Sequence, residues 1–451
     1  MTGPRVIDLG ELVEQGRLGR FQVGILGVLG ACLMLDGFDV QAMGYVAPAL
    51  LQAWGLPKEA LAPVFAAGLA GLFLGSLLSG LAADRLGRRP VLLAATGAFA
   101  ACSLLTAAAG SIGALAAARF ASGLGLGAIM PNATALIGEY SPRRRRIATM
   151  MIVTNGFLVG ATLGGFLSAW LIPALGWRSV FLAGGLLPLL LLPAMALAVP
   201  ESLQLLALRG AAPERIARWV RRLDPAAPEG AGVTYRLGEP PPSGAPLAEL
   251  FRGRRAAGTA LLWLANFMNV LDAYFVASWL PAVVREAGHP TSTAVLVGTA
   301  VQAGGAIGTV VLGLVMQRRG FTAALAACFG GAAVGLALLG QATLPLWLLF
   351  GVAFLTGWGV FGGQPGLNAL AATWYPTDLR STGLGAALGV GRFGAILGPL
   401  VAGALMARGW SSEALFAGAA APAVLAGLSV LALGRVLGRA AQGAGASPDT
   451  R

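Results

Sequence analysis

Gly80-Leu81-Ala82-Ala83-Asp84-Arg85-Leu86-Gly87-Arg88-Arg89-Pro90 is a short polar break between two long apolar runs. Four charges, a glycine and a proline fall within its last seven residues. Gly87 permits a tight turn, and Pro90 suits the first turn of a following helix. Asp84 can pair with an Arg or with a helix N-terminus. The run on either side is about 20 residues long, the length that crosses a bilayer core. The break therefore reads as a turn at a membrane surface between two spanning helices.

Outward from this turn, apolar runs and polar turns alternate from Phe21 to Leu437. They predict spans near 20–51, 60–82, 91–109, 112–138, 148–172 and 177–198, then 257–286, 293–316, 321–340, 344–371, 382–406 and 411–437. The 451 residues are 57% hydrophobic and 11% charged, with a mean hydropathy of +0.76. A soluble protein of that composition has too little polar surface to cover itself. The 67 Gly and 26 Pro suit membrane helices that pack closely and bend. The short alternating segments of a β-barrel are not seen.

The net charge of +12 is placed asymmetrically. With a cytoplasmic N-terminus, 25 Arg and Lys fall in cytoplasmic segments and only Lys58, Arg178, Arg285 and Arg408 in outward loops. That bias follows the positive-inside rule and argues against a nucleic-acid face. It predicts a multi-pass bacterial inner-membrane protein with both termini cytoplasmic. The polar N-terminal tail lacks a cleavable signal pattern, so the first span is expected to remain a helix. Cys32, Cys102 and Cys328 fall within spans and read as packing residues. One histidine, His289 in an outer loop, and no paired Cys give no metal site, and no cofactor is expected. Gly123-Leu124-Gly125 does not follow a strand, which excludes a dinucleotide fingerprint.

Residues 201–255 are polar and rich in Pro and Arg, with amphipathic stretches at Pro213–Leu223 and Leu247–Arg254. They split the chain into two halves that repeat. A shift of 234 residues pairs Gly123 with Gly357, Pro131 with Pro365, Pro142 with Pro376, Arg146 with Arg380 and Gly160 with Gly394. A shift of 233 pairs Asp39 with Asp272, Pro48 with Pro281 and Gly87 with Gly320. A direct repeat of six helices predicts two bundles with a substrate site between them at mid-membrane.

Two carboxylates, Asp36 and Asp39, lie three apart on one face of the first span. Acids at membrane depth are costly and mark functional sites, although either Asp could simply hold a partner helix. Arg392 lies inside a span and cannot shed its proton, so it needs an anionic or carbonyl partner. A substrate carboxylate held by a bidentate fork would serve, as would Asp272. Arg119 could bind substrate or partner Asp36 or Asp39. Phe38, Tyr45, Phe267, Tyr274, Phe275, Trp279, Trp358, Phe361 and Phe393 could sandwich a ring or merely pack. Asn266, Asn269, Gln302, Gln364 and Asn368 could bind ring hydroxyls or join helices.

The Gly80–Pro90 loop resembles the signature loop of the major facilitator superfamily; its counterpart, Gln317-Arg318-Arg319-Gly320, lacks the acid. Asp36-Gly37-Phe38-Asp39 is similar to the first-helix signature of the aromatic acid:proton symporter family within that superfamily. Arg119–Ala128, Met130-Pro131-Asn132-Ala133, Glu139-Tyr140-Ser141-Pro142 with the Arg143–Arg146 run, Asn266–Asn269 and Asn368–Gly398 carry the same likeness. The resemblance implies an all-α major-facilitator fold of twelve transmembrane helices in two pseudo-symmetric six-helix bundles, 1–200 and 257–437. A linker, 201–256, and a tail, 438–451, complete it. The resemblance assigns proton coupling to Asp36 and Asp39. Arg119 matches the family's fourth-helix Arg, and Arg392 one of the Arg pair flanking and entering the eleventh. These two, with Phe38, Tyr45, Asn266, Asn269, Tyr274, Trp358, Gln364 and Phe393 as read from the residues themselves, are the candidates around a small aromatic acid anion. Gating falls to Asp84, Arg85, Arg88, Arg89, Glu139, Arg146 and Arg380. The expected function is proton-coupled import of hydroxybenzoate-like carboxylates by a monomer in the lipid bilayer. Another organic acid, a sugar or a drug remains the alternative cargo.

Overall fold

A computed structural model describes residues 5–9, 12, 19–142, 145–223, 233–236, 247–253, 255–341, 344–376 and 379–444. Arg143, Arg144, Arg254 and Thr377 lie outside the described residues, as does the tail beyond 444. The first half holds α1 (Arg20–Trp54), α2 (Ala62–Leu86), α3 (Arg88–Ala107), α4 (Ile112–Glu139), α5 (Arg146–Leu175) and α6 (Arg178–Ala198). Two short helices follow, α7 (Leu203–Leu208) and α8 (Pro213–Leu223). The second half holds α9 (Arg255–Glu286), α10 (Thr291–Arg319), α11 (Phe321–Leu339), α12 (Leu346–Trp374), α13 (Arg380–Ala407) and α14 (Ser412–Ala444). Twelve of these helices are long and apolar enough to cross a membrane. They overlie the twelve predicted spans, with ends displaced by at most seven residues.

Where the chain must reverse sharply, glycine supplies the conformation. Gly87 before α3 has φ 110° and Gly320 before α11 has φ 78°, values that side chains with a Cβ avoid. The two positions are repeat partners, so one turn geometry recurs in both halves. Close packing recurs as well. A Cβ on Gly123 of α4 would run into the Gly68 carbonyl oxygen of α2, and a Cβ on Gly357 of α12 into the Val301 carbonyl oxygen of α10. Backbone thus meets backbone at the same repeat position twice, the small-residue packing expected where lipid offers no hydrophobic drive.

The polar segment after α6 departs from a purely helical reading. Strand β1 (Arg5–Asp8) pairs in parallel with β2 (Val233–Arg236), Arg5 opposite Val233 and Asp8 opposite Arg236. Pro213–Leu223 is a helix as expected, docked through buried Ile216 and Val220, with Trp219 stacked on Phe21 at 6.5 Å. Leu247–Phe251 forms a 3-10 turn in place of an amphipathic α-helix.

Chain packing divides the molecule into two compact units, and the division does not follow the linker. One comprises Met1–Ala42, Ala67–Ala161 and Arg178–Pro241; its core includes Leu29, Leu33, Phe99, Ile129 and Ile137. The other comprises Met43–Ala66, Thr162–Trp177 and Pro242–Arg451; its core includes Leu325, Phe329, Leu367, Tyr375 and Val430. Inside this second unit Lys58, just before α2, pairs with Glu286 at the end of α9. Glu286 also accepts from the Ser412 hydroxyl at 2.8 Å. Phe65 meets Trp279 edge-on at 5.2 Å.

Candidate functional site

Asp39, in the middle of α1, is 0% exposed and is answered from two helices, α3 and α4. Arg119 of α4 donates from Nη1 to Asp39 Oδ2 at 2.9 Å and from Nη2 to the Asp39 carbonyl oxygen at 3.1 Å. Ser122, one turn further along α4, donates to Oδ2 at 3.4 Å. The Ser103 hydroxyl of α3 lies 3.0 Å from Oδ1 and 3.1 Å from the Phe181 carbonyl oxygen. The Arg119 guanidinium also sits over the Phe181 ring, 5.5 Å from its centroid. This is a buried, well-supplied ion pair, the arrangement in which two charges survive away from water. Asp36 is buried one turn earlier, and Phe38 between them is buried too. Of the two roles open to Arg119, partnering Asp39 is the one occupied here. Ser103, Ser122 and Phe181 were not singled out in the sequence; a lone hydroxyl in an apolar run carries no signal, because Ser is ordinary there.

A second cluster lies in the first unit, where α3 begins and α4 ends. The Glu201 carboxylate accepts from the backbone N–H groups of Arg88 at 2.9 Å, Arg89 at 3.2 Å and Ser202 at 2.9 Å. It thereby occupies the N-terminus of α3, where the peptide dipoles favour an anion. Asp84, expected as a candidate for that place, is exposed, and its backbone carbonyl accepts from Arg209. Arg88 pairs with Glu139, and Arg89 donates to the Ala196 carbonyl at 2.6 Å. Arg146 reaches the Ser141 carbonyl at 3.5 Å, while Arg85 and Arg380 are exposed. The Tyr140 hydroxyl donates to the Glu201 carbonyl at 2.7 Å. Burial, with the Glu201 charge beside it, pushes that phenol well above the ordinary tyrosine range, so it stays a donor. Glu201 was missed in the sequence; its signal was an acid directly after the sixth apolar run, in Pro200-Glu201-Ser202.

The second half gathers amides rather than charges. Asn269 of α9 donates to Gln364 Oε1 at 2.7 Å and to the Val360 carbonyl at 3.0 Å. Gln364 of α12 donates to Asn266 Oδ1 at 2.7 Å and to Asn368 Oδ1 at 3.3 Å. Asn266 donates to the Ala387 carbonyl of α13. Four of the five predicted polar residues are therefore brought together, tying three helices, while Gln302 on α10 is buried outside this network. Arg392 on α13 is half-buried and, among the described residues, makes no ion pair; Asp272 does not partner it. Of the predicted aromatics, Tyr45 is fully buried with its hydroxyl bonded to Thr299. Tyr274 is half-buried, Trp358 packs against Phe354 at 6.3 Å, and Phe393 is 53% exposed. Trp279 and Phe275 are packing residues. A cavity of about 680 Å³ in the second unit is lined by Gln52, Trp177 and Arg285 and by none of the predicted substrate ligands. No metal-ligand cluster occurs among the described residues.

Residues 29–256 and 262–448 match the sequence profile of the Major Facilitator Superfamily. The chain is 41% identical to a gallate transporter of Pseudomonas putida, over 96% of each chain. It is 38% identical to the 4-hydroxybenzoate transporter PcaK of Pseudomonas aeruginosa, over 95% of this chain and 96% of that one. Among solved structures it resembles the xylose transporter XylE from E. coli with a TM-score of 0.69 at 17% identity. That match covers 91% of this chain and 97% of the other, and it speaks to the fold.

Proposed function

The chain belongs to the Major Facilitator Superfamily, and we propose that it is a proton-coupled symporter importing small aromatic carboxylates of the hydroxybenzoate kind by alternating access. It is a multi-pass membrane transporter and not an enzyme. The observation that carries the proton-coupled reading is the buried Asp39–Arg119 pair. While Asp39 is ionised, it and Arg119 neutralise one another. A proton on Asp39 cancels the carboxylate charge and leaves the guanidinium short of an anion, a vacancy that a substrate carboxylate fills bidentately. Proton and anion then load together, and neither is stable at membrane depth alone. Asp36, one turn away, is the second acid of this coupling site.

Arg392, half-buried and without an ion-pair partner among the described residues, is the other cation proposed for the substrate carboxylate. Phe38, Tyr274, Trp358 and Phe393 are proposed to contact the ring, and Asn266, Asn269 and Gln364 its hydroxyls. Tyr45 enters that group only if its contact with Thr299 opens during the cycle. The Arg88–Glu139 pair, with Asp84, Arg85, Arg89, Arg146 and Arg380, is proposed as the gate at the mouth. The charge bias of the loops supports a cytoplasmic position for both termini in a bacterial inner membrane. The repeat supports halves 1–200 and 257–437 as the moving bodies, joined by 201–256, in a transporter that works as a monomer.

The test is uptake of labelled gallate and 4-hydroxybenzoate into proteoliposomes, with and without an inward proton gradient. Wild type is expected to accumulate substrate only with the gradient, and Asp39→Asn to lose that accumulation. Equal uptake under both conditions would remove the symport reading. Failure of both acids, followed by uptake of aliphatic acids or sugars, would remove the aromatic one.

A further inference from the structure

The repeat that pairs Asp39 with Asp272 does not pair their surroundings. At offsets of 234 and 233 residues, Arg119 aligns with Ala353 or Val352, and Ser103 with Ala337 or Leu336. Ser122 aligns with Thr356, whose hydroxyl is committed to the Val352 carbonyl one turn back, at 2.8 Å. The second half keeps the acid and lacks the cation that balances its counterpart. Asp272 is 0% exposed, and among the described residues neither of its carboxylate oxygens has a hydrogen-bond partner.

No charge on the packed elements takes that place. Helix α9 packs against α10, α12, α13, α14 and the turn Leu247–Phe251. Helix α12 carries no charged residue, and those of α10, Arg318 and Arg319, are in its last turn. Helix α13 carries Arg380 at its start and Arg392, and α14 carries Glu413 in its first turn with Arg435 and Arg439 in its last third. Glu249 of the turn is paired with Arg252. On α9 itself, Arg255, Arg285 and Glu286 are at the ends, roughly 20–25 Å along the axis from Asp272. Arg392 is the only cation in the middle of a neighbouring span, and it forms no ion pair with Asp272 among the described residues. An ionised carboxylate in this setting has lost its water and gained neither donor nor counter-charge, whereas the acid form forgoes only hydrogen bonds.

We propose that Asp272 is a second proton-binding site of the transport cycle, holding a proton in the arrangement seen here and releasing it when the cycle exposes it. Loading transfers a proton from hydronium to one carboxylate oxygen and leaves water. Release breaks that O–H bond and returns the proton to water on the opposite side. Asn266 and Asn269 mark the two preceding turns of α9, and both bond the half-buried Gln364, so a row of amides ends one turn from the acid. The inference rests on the symport reading above, and it raises the number of proton-accepting carboxyls from the first-helix pair to three.

Two measurements decide it. Across an inward gradient of one pH unit, each coupled proton contributes about a tenfold accumulation of substrate. Asp272→Asn, which mimics the protonated acid, is expected to lower gradient-driven accumulation about tenfold more than it lowers substrate exchange. Asp272→Glu, which still titrates, is expected to restore most of it. The second measurement needs no substrate: infrared spectra of the purified protein across a pH series. Wild type is expected to show a buried carboxylic-acid C=O band that decays as pH rises and is missing from Asp272→Asn. Infrared spectra identical in the two proteins would overturn the proposal. So would accumulation and proton flux in Asp272→Asn equal to wild type. If wild type carries no aromatic acid, the substrate reading fails while the infrared titration still judges Asp272.

Discussion

At Asp39 the chain keeps a charge where water does not reach, and it does so with one guanidinium and two hydroxyls within hydrogen-bond range. Breaking one side of such a pair strands the other. Arg119→Gln is expected to destabilise the protein by about 3–5 kcal/mol, and adding Asp39→Asn to recover a substantial part of the loss. Unfolding of the detergent-purified single and double variants measures the coupling; strictly additive losses would mean that the pair is not what holds α1 to α4. Glu201→Gln removes an anion from the start of α3 and is expected to cost about 1–3 kcal/mol in the same assay. The residues that govern these sites were unequally legible. Asp36, Asp39, Arg119 and Arg392 stand out because a charge inside an apolar run has few explanations. Ser103 and Ser122 do not, because nothing in a linear chain says which hydroxyl faces which acid. Glu201 was hidden by its position at the edge of a polar insert full of charges.

At the level of elements, hydropathy alone located twelve helices, since twenty apolar residues have few other uses. Their contacts were written in the glycines, but only the repeat separated the meaningful ones from the abundant ones. Gly357→Val is expected to push α12 off α10 and abolish recovery of folded protein. Gly24→Ala, on an open face of α1, is expected to be neutral or stabilising by up to ~1 kcal/mol. Fluorescence-detected size-exclusion of the two variants distinguishes them, and a well-folded Gly357→Val would show that the close approach at α12 is dispensable. The β1–β2 pair was invisible beforehand. Its strands are four residues each and lie far apart in the chain, and no periodicity in either one announces a partner.

Over the whole molecule, the chain's two units are not its two sequence halves, because Met43–Ala66 and Thr162–Trp177 pack with the second half. The repeat predicted the halves; it carried no information about which helix ends pack together in one arrangement. Lys58, Glu286 and Ser412 tie one such end. In a background with Cys32, Cys102 and Cys328 replaced by Ala, a cleavable thiol linker between Lys58→Cys and Glu286→Cys is expected to cut uptake by about tenfold, with recovery on cleavage. Undiminished uptake after complete cross-linking would show that this end does not open during transport. The strand pair adds a matter of timing. Arg5 leaves the ribosome ~230 residues before its partner Val233, so at the usual pace of synthesis β1 waits roughly 10–45 s for β2. The sheet can close only after α1 to α8 have been made, so its formation dates the completion of the first half of the chain, like a seal applied after the contents are in place.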